Sequence, residues 1–115
     1  MTVIIYGIAN CDTMKKARAW LAAQGVAYDF HDYKKAGVDR DVLARAVDTL
    51  GWETVLNRQG TTFRKLPEEE RSDLDTARAI ALMIAHPSAI KRPMLVHGET
   101  VEVGFSPARY AAIFA

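Results

Sequence analysis

"TVIIYGIANCDTMKKARAWL", residues 2–21, changes its periodicity once, and that change decides the fold. Residues 2–6 are a short β-branched, apolar run closed by Gly7, the pattern of a buried strand. From Thr13 the repeat becomes helical: Met14, Ala17, Trp20 and Leu21 share one face, and Lys15, Lys16 and Arg18 lie off it. Gly25 is the expected stop. "VAYDFHDYK", residues 26–34, then alternates. Val26, Tyr28 and Phe30 fall on one side and Asp29, His31 and Tyr33 on the other, as in a second strand that breaks at Gly37. A strand–helix–strand unit of this kind predicts a parallel pair.

Working outward, "DRDVLARAVDTLG" (39–51) reads as an amphipathic helix capped by Asp39, with Val42, Leu43, Ala46, Val47 and Leu50 on one face and Gly51 at its end. Residues 52–74 are mixed and polar, and predict short helical turns around a loop at Gly60. "DTARAIALMIAHP" (75–87) is apolar nearly all round, which predicts a buried helix ended by Pro87. "PMLVHGETVEVG" (93–104) is two alternating runs about a turn near Gly98 and Glu99, a hairpin. "SPARYAAIFA" (106–115) predicts a last helix with Ser106 as cap and Pro107 in its first turn. A βαβ half followed by a ββα half is the thioredoxin-like α/β arrangement, here with an inserted helical segment between the halves.

The chain has 115 residues, half of them hydrophobic, and one domain over 1–115 is expected. Lys+Arg 15 against Asp+Glu 14 gives a formal net charge of +1, which gives no support for broad nucleic-acid binding. Apolar runs are too short to cross a bilayer, and the N-terminus lacks the pattern of a signal peptide, so a cytoplasmic location is expected. A monomer is the default expectation.

The only cysteine, Cys11, falls at the junction between strand and helix. Unpaired N–H groups and the positive end of a helix dipole favour a thiolate over its ordinary pKa of about 8.5, and Lys15 and Lys16 add to that potential. Asp12 opposes it. The reading expects a reactive thiol with a depressed pKa; the alternative is a small, buried structural cysteine. A dithiol oxidoreductase would carry a second cysteine at position 14, where Met14 stands, so any redox cycle needs an outside thiol.

Arg92 precedes Pro93 at the start of the hairpin, where its planar fork can stabilise a thiolate or bind an oxyanion. A surface arginine in a tight turn is the alternative, and a cis bond at Pro93 is compatible with the sequence. Arg58 and Arg64 flank Gly60 in a loop that can present donors to an anion, though a solvated loop explains the same composition. His31, His86 and His97 share no metal-ligand spacing, so no metal is assigned, and His86 is expected at a helix end. Tyr6, Trp20, Trp52 and Phe105 are read as core, and "EEER" (68–71) as a solvated face.

Taken together, "YGIANCDTMKKARAWL", "HDYKKAGVD", "LGWETVLNRQGTTFRKL", "IKRPMLV" and "VGFSPARY" resemble the ArsC-type arsenate reductase family in its Spx/YffB branch, over almost the whole chain. The resemblance implies that Cys11 is the family nucleophile. Arg92, in "KRP", matches one of three arginines that surround that thiol in arsenate-reducing members, and Arg58, in "VLNR", matches a second. The third falls where this chain has Gly104, Phe105 and Ser106, and the "CGTSR"-like opening of those members is "CDTMK" here. An arsenate oxyanion therefore meets fewer donors.

The resemblance to YffB-type members implies a glutathione-dependent monothiol reductase with glutathione as external co-substrate and no bound cofactor. In that reading Cys11 and Arg92 are catalytic, and Asn10, Asp12, Thr13, Lys15, Arg58 and Pro93 bind substrate. Two other functions are carried beside it: arsenate reduction through Cys11, and a non-catalytic, Spx-like regulator that binds RNA polymerase.

Overall fold

β1 (Val3–Gly7) leads into α1 (Asp12–Ala23), β2 (Asp29–Asp32) and a helical turn, α2 (Tyr33–Ala36), in the computed structural model, which describes residues 2–115. Five helices follow: α3 (Arg40–Leu50), α4 (Trp52–Val55), α5 (Thr61–Arg64), α6 (Glu68–Arg71) and α7 (Thr76–Ala85). A 3-10 turn (Pro87–Ala89), β3 (Met94–His97), β4 (Thr100–Val103) and α8 (Pro107–Ile113) complete the chain. The strands form one sheet of order β2-β1-β3-β4. β1 and β2 are parallel, from Ile4↔Asp29 to Gly7↔Asp32. β3 is antiparallel to both β1 and β4. This is the thioredoxin-like βαβ and ββα pair with helices inserted between its halves.

The chain divides into two compact units, residues 2–36 with 92–115, and residues 37–91. In the first, one face of the sheet buries Val3, Ile5 and Leu95 against Met14, Ala17 and Leu21 of α1 and Tyr110 of α8. Trp20, Tyr28, Phe30, Phe105 and Phe114 close the rim of this cluster. Each fully buried large side chain contributes about 1.5–3 kcal/mol. Gly98 closes the β3–β4 hairpin at φ +61°, in a two-residue turn with His97 opposite Thr100. The second unit buries Leu43, Ala46 and Val47 of α3, Val55 and Leu56, Phe63, and Ala79, Ile80, Leu82 and Met83 of α7. An isolated bridge joins Leu56 to Ile90.

Four expectations need correction. The first helix begins at Asp12 rather than Thr13, with Cys11 as its N-cap. The second strand is Asp29–Asp32 only. Val26 N–H still donates to the carbonyl of Leu21 (2.9 Å), which ties it to the helix end. At the other end the Asp32 carboxylate accepts from the Lys34 N–H (2.9 Å), a local turn that starts α2 and removes Tyr33 from the strand. α7 is not buried all round, since Ala77, Ala81 and Ala85 are exposed along one stripe. Small side chains leave a face apolar in composition without forcing it inside. Finally, Trp52 is only half-buried, with the Arg58 guanidinium over its ring at 5.4 Å rather than other core side chains.

Candidate active site at the start of the first helix

β1 ends at Gly7, and the chain passes through buried Ile8 and exposed Ala9 and Asn10 to Cys11. Cys11 has extended backbone geometry (φ −146°, ψ 128°), and its carbonyl accepts the first helical bond from the Lys15 N–H at 3.0 Å. Its N–H donates to the Ala9 carbonyl at 3.1 Å. The thiol makes no capping bond, so the first-turn N–H groups lack a side-chain acceptor. Cys11 is half-buried and packs at the edge of the Val3–Ile5–Met14 cluster. Beside it Asp12 and Lys15 are exposed and Thr13 is half-buried.

Position 14 is sealed. Met14 has no exposed surface, and a Cβ added at Gly7 would lie 3.3 Å from its Cγ and collide with its Sδ. Glycine at 7 is therefore what lets the first turn of α1 seat its thioether under the strand, and Cys11 keeps no second sulfur that can resolve a disulfide.

Arg92 and Pro93 lie at the same end of the sheet. Tyr6 pairs with Met94, so the segment after β1 and the segment before β3 leave the sheet together. The Arg92–Pro93 bond is cis, Pro93 is fully buried, and its carbonyl accepts from the Gly104 N–H at 2.9 Å. Arg92 is half-buried, and among the described residues its guanidinium has neither a carboxylate nor a carbonyl partner. This end, where parallel β1 and β2 finish, is where open α/β sheets place their ligands.

Sequence reasoning missed Tyr33. It is buried against Tyr6 (ring centroids 6.4 Å apart) and His31 (5.9 Å) at this same end of the sheet. Burial pushes its phenol well above the ordinary value, the neighbouring Tyr6 adds to that, and the Arg92 charge pulls it back. The signal was Asp32, two residues before Lys34, a spacing that turns the chain and carries Tyr33 inward.

The structure thus brings Asn10, Cys11, Asp12, Thr13, Lys15, Arg92 and Pro93 to one end of one unit. Arg58 belongs to the other unit. There Arg58, Asn57, Gln59, Thr54 and Lys91 line a polar cleft of about 530 Å³, and neither cation has a carboxylate partner among the described residues. Arg64 is exposed on α5. His86 stands at the end of α7, 3.5 Å from Glu70, and α6 is solvated as expected. Among the described residues no group of three His, Cys, Asp or Glu side chains is placed to hold a metal ion. No helix is long and apolar enough to cross a membrane.

Comparison with known proteins adds to this geometry. The ArsC family model matches residues 6–113. A solved structure of the YFFB protein is 60% identical, with a TM-score of 0.97 over 99% of this chain and 100% of that one. The arsenate reductase from Vibrio cholerae is 25% identical, with a TM-score of 0.83 over 98% of each chain. Among curated relatives, an uncharacterized protein of Haemophilus influenzae is 37% identical over 98% of this chain and 99% of its own. The global transcriptional regulator Spx of Streptococcus mutans is 26% identical over 90% of this chain and 77% of its own.

Proposed function

The chain belongs to the ArsC family, and from that premise we propose that it is a glutathione-dependent monothiol reductase with Cys11 as nucleophile. The observation that carries the reading is a lone thiol at a helix start whose cap it does not satisfy, on the sheet end that also bears an arginine with no carboxylate partner. The Cys11 thiolate attacks one sulfur of a disulfide that includes glutathione. The S–S bond breaks, the departing thiolate takes a proton, and Cys11 is left in a mixed disulfide with glutathione. A second glutathione thiolate attacks that bond, releasing glutathione disulfide and the Cys11 thiolate. The net change is an exchange: one free glutathione is consumed, the substrate's other half leaves as a thiol, and glutathione disulfide forms.

Arg92 pairs with developing thiolate charge or a substrate carboxylate. Asn10, Asp12, Thr13, Lys15 and Pro93 border the bound disulfide. The competing reading is arsenate reduction by the same thiol, supported by the likeness to the Vibrio cholerae enzyme. It has less in its favour, because Gly104, Phe105 and Ser106 offer no third arginine. The Spx-like reading rests on the likeness to the Streptococcus mutans regulator and needs no thiol chemistry.

Incubation with glutathione disulfide should add one glutathionyl group at Cys11 of the folded protein, removed by free glutathione. Losing a charge-assisted hydrogen bond worth about 1.5–3 kcal/mol, Arg92→Ala should turn over about ten- to a hundredfold more slowly. A Cys11 that reacts only after unfolding overturns the proposal.

A further inference from the structure

Residues 67–75 form a strap in the second unit that its core does not hold. α6 lies within it and has no buried residue, and half-buried Leu66 and Leu74 flank it. The strap is bonded within itself. The Glu70 and Arg71 N–H groups donate to the Pro67 carbonyl (3.0 and 3.3 Å), and the Ser72 hydroxyl donates to the Glu68 carbonyl (2.7 Å). Arg71 Nε donates back to the Leu66 carbonyl at 2.9 Å. Asp73, in the left-handed region at φ +54°, then bends the chain before α7.

Two side chains, one at each end of α7, reach the strap. Arg78, in the first turn of α7, sends one arm of its fork to the Glu69 carbonyl (3.1 Å) and the other to the Asp73 carbonyl (3.2 Å). It ties both α6 and the bend after it to one helix. His86, at the C-cap of α7, lies 3.5 Å from Glu70. Beside these contacts a hollow of about 240 Å³ is lined by Glu70, Arg78, Ala81, Leu82 and Ala85. No α6 side chain is buried against it, so polar contacts rather than apolar packing hold the strap down.

The two ties are unequal. An arginine fork on two carbonyls makes two charge-assisted hydrogen bonds. The His86–Glu70 pair is long, and its side chains are 35% and 45% exposed, so water screens most of its attraction. We infer that residues 67–75 are a hinged cover over α7, latched by the Arg78 fork, which swings open as one piece about Leu66 and Leu74. Opening bares the hollow and its Leu82 floor to solvent while α3 stays folded. This device is independent of the chemistry at Cys11.

The test is amide hydrogen exchange read by mass spectrometry, with α3 as the internal reference. The Glu70, Arg71 and Ser72 amides are bonded in the closed strap and report its opening. In the parent they should be protected, yet exchange at least about tenfold faster than α3 amides. Arg78→Met keeps an aliphatic stem on the helix and removes both hydrogen bonds of the fork. It should speed strap exchange about ten- to a hundredfold and leave α3 unchanged. Arg78→Lys, with the charge but no fork, should fall between, and His86→Ala should change strap exchange less than about threefold. A glutamate-specific protease reports the size of the motion, since three of the six glutamates in the chain lie on the strap. Cleavage there should accelerate in Arg78→Met by the same factor as exchange.

Strap amides that exchange without protection in the parent, or that ignore Arg78→Met, overturn the latch. Exchange that rises equally in α3 does the same, because Arg78 would then be a general prop of the unit. A larger effect from His86→Ala than from Arg78→Met puts the tie at the other end and overturns it too. Faster exchange without faster cleavage would mean that α6 frays in place, and the hinge is then wrong.

Discussion

α1 and α8 pack on the same face of one sheet, yet they begin in opposite ways. α8 starts at Ser106, whose hydroxyl accepts from the Arg109 N–H at 3.1 Å, with Pro107 preset in its first turn and Arg109 bridged to Glu102. α3 and α7 are capped likewise, by Asp39 and Asp75. α1 is the longest of the helices in the described chain, and its N-cap residue makes no such bond. What holds α1 instead is packing, since Met14, Ala17 and Leu21 have no exposed surface. A helix anchored by its core can leave its first N–H groups free, and free donors beside a sulfur are what thiolate chemistry uses.

If packing rather than capping seats α1, the largest effect comes from disturbing it. Gly7→Ala places a methyl group against the Met14 thioether in a site with no free surface. A loss of about 1–3 kcal/mol in urea unfolding is expected. A change under about 0.5 kcal/mol would mean that flexible Met14 moves aside, and the contrast between the helices would lose its basis.

Exchanging the cap chemistry sharpens the comparison. Ser106→Ala should cost about 1 kcal/mol, the usual worth of an N-cap hydroxyl. Cys11→Ser should cost nothing or stabilise, because serine offers α1 the acceptor that cysteine withholds, while mixed-disulfide formation disappears. Urea unfolding of the two variants side by side decides it. Equal losses at both positions would show that Cys11 supports its helix as Ser106 does.

The same contrast explains what could be read from residues alone. Ser106, Asp39 and Gly98 announce their elements because the chemistry is local: a hydroxyl or carboxylate before a helix, a glycine in a turn. Residues 2–21 were legible for the same reason, since a strand period gives way to a helical one beside the cysteine. Tyr33 and Trp52 were misplaced because their surroundings come from elsewhere in the chain. An aspartate one residue earlier turned Tyr33 out of its strand, and an arginine six residues later shielded Trp52 at the surface. Arg92 was found through its proline; that it has no carboxylate partner among the described residues is a property only of the assembled unit.

The smallest effect lies where α8 carries the defect that α1 lacks. Tyr110 is the deepest side chain of α8, fully buried between Trp20 and Phe105, and its hydroxyl has no hydrogen-bond partner among the described residues. Burial pushes its phenol well above the ordinary value, Glu102 adds to this, and Arg109 pulls it back. A folded-state value raised in this way gives stability that is complete below the unfolded value of about 10 and is lost as pH rises above it. Tyr110→Phe removes both the unpartnered hydroxyl and that titration. At pH 7 the variant should match the parent or exceed it by up to about 1 kcal/mol. Above pH 10 its advantage should widen, with Tyr33, raised for the same reason, still weakening both proteins. Urea unfolding at the two pH values checks the sign. A loss at pH 7, or an advantage that does not grow with pH, would show that the hydroxyl is held, and that α8 is anchored by a polar contact at its depth as well as at its cap.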